Sequence, residues 1–226
     1  MKKATLFINP LCKSLEAAKN DAHAFRMAKY MKDHFDYFGI QAPIRKEITR
    51  KFLKENPLPK GKELMIIAKK MWKLPQREYQ YIAMDFLIRK SRYLEVEAID
   101  FLVYLITTKS WWDSVDSIAS NLVGTYFELY PQEKRSYTQK WIHSENMWLQ
   151  RTAIIFQLKY KNNLDEDLLF EHILICAGSK EFFIQKAIGW ALRQYAKTQP
   201  MAVKRFVENN ELKSLSKREA LKGIIF

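Results

Sequence analysis

Apolar residues recur at intervals of three and four along most of this chain, the spacing of helices that each bury one face. The periodic stretches predict helices over residues 5–18, 21–36, 43–55, 61–73, 76–90, 94–107, 111–129, 131–142, 145–160, 165–176, 180–197, 200–209 and 216–225. The punctuation between them is short, as at Leu74-Pro75, Tyr130-Pro131, Lys161 to Asn163, Gly178-Ser179 and Gln199-Pro200. Connections of this length join antiparallel neighbours. No linker or low-complexity tract interrupts the pattern, so residues 1–226 are expected to form a single domain.

The helical pattern repeats weakly. Ala83, Ser117, Ala153 and Ala187 align at spacings of 34, 36 and 34, each with bulky residues before it and aliphatic residues after it. A period near 35 built from two helices fits an α-solenoid. The TPR consensus does not recur, which leaves an all-α stack of HEAT-like helical repeats whose second helices line a concave groove. One place before the aligned small residue stand Ile82, Asp116, Thr152 and Lys186. Three places after it stand Phe86, Ser120, Phe156 and Trp190, and six after it Arg89, Val123, Lys159 and Arg193. Those offsets form one helical stripe. It is expected to face the groove, because unpaired Lys and Arg are costly to bury.

Charge changes the picture from architecture to partner. Lys and Arg number 38 against 25 Asp and Glu, a net charge of +13. A basic groove of that strength favours a polyanion, with nucleic acid the foremost class. The two cysteines, Cys12 and Cys176, read as ordinary buried or half-buried thiols. The four histidines lack metal-ligand spacing, so neither a metal nor a cofactor is expected. Phosphate-binding glycine loops, dinucleotide fingerprints, zinc-protease helices and nucleophile elbows are all missing from the sequence. There is no signal-peptide core and no apolar run of membrane-spanning length, so a cytoplasmic monomer is expected.

Within the basic pattern one acidic position stands out. Trp112 and Asp116 lie four residues apart in KSWWDSVDSIA, over residues 109–119, and so share a helix face. Ser110 and Asp113 fit a capping box, which gives Asp113 a structural role. Asp116 has no such local role, and three readings are open to it. It is a solvated carboxylate, the partner of a nearby cation, or a functional group. Trp111 points about 100° from Trp112 and is the candidate for the core. Trp190 has both a core and a site reading, while Trp72, Trp141 and Trp148 are assigned to packing. Arg151 is either a surface salt bridge or a phosphate clamp. Lys159, Lys161, Arg193 and Lys197 would add affinity for a phosphate backbone without reading bases. Arg45 and Lys46 follow the loop Gly39 to Pro43, which opens a helix whose N-terminus could also bind phosphate.

Taken together, AKYMKDHFDYFGIQAP over 28–43, KSWWDSVDSIA over 109–119, MWLQRTAIIFQLKYK over 147–161, KEFFIQKAIGWALRQYAKTQP over 180–200 and LSKREALK over 215–222 resemble the AlkD-type DNA alkylation-repair glycosylases of bacteria, built from HEAT-like repeats. The resemblance covers nearly the whole chain. It implies excision of N3- and N7-alkylated purines, such as 3-methyladenine and 7-methylguanine, from duplex DNA in the bacterial cytosol. It implies a catalytic aspartate at Asp116 with aromatic partners Trp112 and Trp190. It also places DNA contacts at Tyr30, Arg151 and the loop Gln41-Ala42-Pro43, where Ala42 stands in place of an expected hydroxylated residue. Two other readings stay open: a catalytically silent binder of damaged or branched DNA, and a protein-interaction scaffold.

Overall fold

The computed structural model describes residues 2–223, and every element among them is helical. The chain divides after Glu95 into two compact units. Among the described residues, no helix is long and apolar enough to cross a membrane.

The first unit contains α1 (Lys2–Ala17), α2 (Asp21–Tyr30), α3 (Ala42–Glu55), α4 (Gly61–Trp72) and α5 (Arg77–Arg89). Helix α1 packs on α3 and α4, and α4 packs on α5. Ile8, Leu11, Leu15, Ile67, Met71, Trp72, Ile82 and Phe86 are buried between them. The periodicity predicts a second helix running to residue 36, yet α2 stops at Tyr30. Lys32 and Asp33 take left-handed backbone angles, with φ of 55° and 58°, which no right-handed helix accommodates. Helix α2 itself buries no residue. Asn20 caps its start by accepting the His23 amide at 2.9 Å.

The chain then returns as an extended segment to α3, pinned from a distance. The buried Glu78 carboxylate accepts the backbone amides of Phe38, Gly39 and Ile40 at 3.1, 2.9 and 3.1 Å. Gly39 holds φ of 84°, and a Cβ there would stand 2.0 Å from the Asn20 carbonyl. Only glycine permits both the angle and the approach to α2.

The second unit is a layered stack. It contains α6 (Ala98–Thr107), α7 (Trp112–Ser117), α8 (Gly124–Leu129), α9 (Pro131–Ile142), α10 (Met147–Ile155), α11 (Glu166–Cys176), α12 (Phe182–Tyr195), α13 (Pro200–Asn209) and α14 (Ser214–Leu221). Of the helix expected over 216–225, residues 224 and 225 lie outside the described residues. Consecutive helices pack as pairs, and alternate helices stack: α9 on α11, α10 on α12, and α12 on α14. That is the arrangement of a helical-repeat solenoid. Prolines at the first or second position start α9 and α13, and Asn146 and Asp165 cap α10 and α11.

Two details depart from the regular pattern. Between α7 and α8 the helix widens into a π segment, Ile118–Val123. There the Ser120 hydroxyl and the Asn121 amide each donate, at 2.8 Å, to the carbonyls of Asp116 and Ser117. The stripe inferred from the repeat alignment is not a uniform surface. Ile82, Phe86, Val123, Thr152 and Phe156 are buried in the cores of their units. The π segment inserts an extra residue into one repeat, and the first and third repeats turn two of the three stripe positions inward while Arg89 and Lys159 stay exposed. The expected capping box does not form either. Trp111 occupies the cap position, and the Ser110 hydroxyl donates to the Ile106 carbonyl at 2.6 Å.

Helices approach closely at Gly189 in α12. A Cβ there would lie 2.4 Å from Glu219 Cβ and 3.0 Å from the Ser216 carbonyl of α14. Replacing Gly by Ala in a helix gains about 1 kcal/mol of propensity. Overpacking costs about 1–3 kcal/mol. Gly189→Ala should therefore destabilise the protein by roughly 1 kcal/mol net, seen as a lower midpoint in thermal unfolding; a raised midpoint would contradict the close packing.

Candidate active site and nucleic-acid interface

In the second unit, three helices converge on one ion pair. Asp116 in α7 and Arg151 in α10 face each other in bidentate geometry, Nε to Oδ1 at 2.7 Å and Nη2 to Oδ2 at 2.7 Å. Arg151 also donates through Nη1 to the Phe183 carbonyl in α12. The arginine side chain is 5% exposed and the aspartate 17%. Arg151 is thus a buried brace rather than a surface bridge. Asp116 is the partner of a cation, one of the three readings open from its sequence position, and it keeps an edge toward solvent. Burial pushes the Asp116 carboxyl above its ordinary value, and the hydrogen bonds and charge of Arg151 oppose that shift.

An aromatic cluster adjoins the pair through Phe183, whose ring centre lies 5.9 Å from the Arg151 guanidinium. Trp111 stands 5.9 Å from Trp148 and 5.2 Å from Phe183, and Trp148 lies 5.1 Å from Phe183, between ring centres. Trp111 and Trp148 therefore pack, as expected. Trp112, one turn before Asp116, is half-buried. Trp190 is also half-buried and lies two turns beyond Phe183 on the same face of α12.

The expected phosphate-contacting cations divide into two sets. Arg193 and Lys186 both pair with Glu219 of α14, at 2.9 and 3.0 Å. Glu219 is held below its usual range by hydrogen bonds from these two cations. Lys159 is exposed, with its ammonium on the Asn121 side chain in the π segment. Lys161 and Lys197 are exposed at the rim of a cavity of about 190 Å³ that Gln157 and Tyr195 also line.

In the first unit, Tyr30 is 72% exposed at the end of α2. Gln41, Pro43 and Lys46 are exposed at the start of α3, with Gln41 as its cap residue and Pro43 in its first turn. Arg45 leans over the Tyr81 ring at 4.6 Å. Below it, burial raises the Asp85 carboxyl while Arg45, Lys46 and Arg89 oppose the shift.

Sequence reasoning missed three participants. The Phe183 carbonyl is a backbone group and leaves no side-chain signal. Glu219 and Glu78 act on residues more than 25 positions away, beyond any helical spacing. Among the described residues, no three His, Cys, Asp or Glu side chains gather as a metal site.

The profile of a family described as DNA alkylation repair enzyme matches residues 11–224, which includes every one of these side chains. The chain belongs to that family. A solved structure, a predicted DNA alkylation repair enzyme from Enterococcus faecalis, is similar at 36% identity with a TM-score of 0.83. The match covers 91% of this chain and 96% of that one. Among curated proteins, no match reaches significance.

Breaking a buried ion pair by removing one partner costs about 3–5 kcal/mol. Because Asp116 keeps a solvent edge, Arg151→Ala should lower stability by about 3 kcal/mol, the lower end of that range, measured by urea denaturation. A loss below ~1 kcal/mol would be that of an exposed pair instead.

Proposed function

We propose that this protein is a monofunctional DNA glycosylase that hydrolyses the N-glycosidic bond of N3- and N7-alkylated purines in duplex DNA. The observation that carries the reading is Asp116: a carboxylate only 17% exposed, held by a bidentate arginine, in a chain of the alkylation-repair family.

The chemistry asks for little more. An N3- or N7-alkylpurine is already cationic, so its base leaves without a general acid. Departure builds positive charge on the sugar. A fixed carboxylate in a site of low polarity stabilises that charge and orients the attacking water. Arg151 holds Asp116 ionised against the pull of burial and fixes both oxygens. The faces of Trp112 and Trp190 attract the cationic nucleotide. Tyr30, Gln41, Pro43, Lys46, Lys159, Lys161 and Lys197 hold the backbone, and Arg193 acts there through the margin that Glu219 leaves it. Residues 1–226 work as one HEAT-like repair domain, without metal or cofactor.

The closed ion pair also favours a second reading. A carboxylate neutralised by an arginine is what a purely structural pair requires, and such a protein would be a silent binder of damaged or branched DNA. Release of free base from methylated duplex DNA separates the two. The parent should release 3-methyladenine or 7-methylguanine, and Asp116→Asn should be slower by about 10²–10³-fold, about 2.7–4 kcal/mol, with DNA affinity retained. Equal rates for parent and variant, or no release by a parent that binds DNA, would establish the binder.

A pH profile gives an independent check. Asp116 must be ionised to act, and burial raises its carboxyl. Excision should therefore fall as pH decreases, through a midpoint above the ~3.9 of an unperturbed aspartate. A limb at or below that value would detach the reaction from this carboxylate.

A further inference from the structure

The first unit holds a cavity that takes no part in the carboxylate's chemistry, although Tyr30 and Gln41 on its wall are among the proposed DNA contacts. It measures about 300 Å³ and lies under α2, lined by His23, Arg26, Met27, Tyr30, Met31, Tyr37, Gln41 and Tyr81. That is the lower end of ligand-pocket volumes, about 300–1,000 Å³, and suits a small planar group.

The lining has a consistent chemistry. Tyr30, Tyr37 and Tyr81 give aromatic surface, and the Tyr37 and Tyr81 hydroxyls lie 3.2 Å apart. Met27 and Met31 add polarisable thioethers that pack well on rings. Gln41 brings both a donor and an acceptor to the wall, the pair that reads the edge of a base. Arg26 is exposed at the rim. Arg45 braces Tyr81 from outside the lining, and its Nε is buried with no protein acceptor. Aromatic faces, an amide and peripheral guanidinium groups together fit a base with a phosphate attached. A lipid chain would leave the amide and both arginines unanswered, and a bare phosphate would leave the aromatic wall unanswered.

The wall is also built to hold its shape beneath a loose cover. Tyr37 is buried, and the turn after it is fixed by the three amides on Glu78. Helix α2, which supplies His23, Arg26, Met27 and Tyr30, buries no residue of its own. Beyond its start, where Gly39 approaches Asn20 and Ala24, the helix has little packing to lose and can shift to admit a ring.

We propose that this cavity binds an unpaired nucleobase with its 5′-phosphate, stacked on the tyrosines, read by Gln41 and anchored by Arg26. This rests on the reading that the chain acts on DNA. It would make the first unit a sensor of unpaired bases near a lesion, separate from the carboxylate.

The test uses the full chain with methyl-labelled methionine, whose signals report the cavity directly. Titration with deoxyadenosine 5′-monophosphate should move the Met27 and Met31 methyl resonances by ring currents, whereas deoxyribose 5-phosphate and inorganic phosphate should not. A duplex with one unpaired adenine should bind about tenfold more tightly than its fully paired counterpart, within the range of one stacked base. Met27→Trp fills the cavity without changing charge and should bring that ratio to one. Tyr30→Leu, at an exposed position, should reduce it even if the tryptophan variant folds poorly. Equal shifts with and without the base, or a ratio that both variants leave intact, would overturn the proposal. A protein that releases no alkylated base yet shows base-dependent shifts would retain this site and lose the glycosylase reading, so the two failures are distinguishable.

Discussion

A guanidinium that cannot give up its proton, buried beside a carboxylate that burial would neutralise, governs the second unit. Desolvating either charge alone costs several kcal/mol, more than most single contacts return. Arg151 and Asp116 meet that cost in each other through two bonds of 2.7 Å, and the Phe183 carbonyl occupies a third donor. The consequence is geometric. α7, α10 and α12 cannot slide past one another without uncovering a charge, so the carboxylate is fixed before any ligand arrives. Fixed charges of this kind need no reorganisation at the moment of reaction.

Most of the remaining electrostatics sorts into two kinds. Glu219 takes up Lys186 and Arg193, and Asp165 takes up Lys134, each within 3.0 Å. These pairs lock neighbouring helices together. Lys46, Lys161 and Lys197 instead stand exposed. The excess of +13 is expressed both by exposed side chains on loops, such as Lys161 and Lys197, and by exposed cations on helices, such as Arg26, Lys51 and Lys140. Cations on short loops can follow a phosphate backbone whose position varies, while paired ones serve the scaffold.

Much of the helical order could be read from the sequence, because a period of three and four residues is a local property. Asp116 was legible for a related reason: it is an acid in a basic chain, one turn from a tryptophan. The departures come from non-local causes. Helix α2 ends early because Lys32 and Asp33 adopt left-handed angles, which their identities do not demand. The Phe38–Ile40 turn is held by Glu78, some 38–40 positions away. Trp111 took the cap position from Ser110 because its ring joins Trp148 and Phe183, a cluster drawn from three helices. Arg151 was noticed, but its burial against Asp116 depends on how α7 and α10 pack, which no spacing within either helix encodes.

The π segment at Ile118–Val123 splits one helix into two independently phased rulers. Residues before it are graduated to the ion pair, and those after it, such as Tyr126 and Phe127, to the core. A π segment is an α-helix that has taken in one extra residue, so losing a single residue there would close the turn to α-helix and leave both halves in phase, whereas one residue lost between Trp112 and Asp116 would turn the two about 100° apart. A lineage could therefore shorten the helix at its wide turn and keep the carboxylate's orientation, yet lose that orientation to the same change made one turn earlier, with the acid, the arginine and both tryptophans retained. Inheritance of the acid and inheritance of its aim are separate matters in this fold.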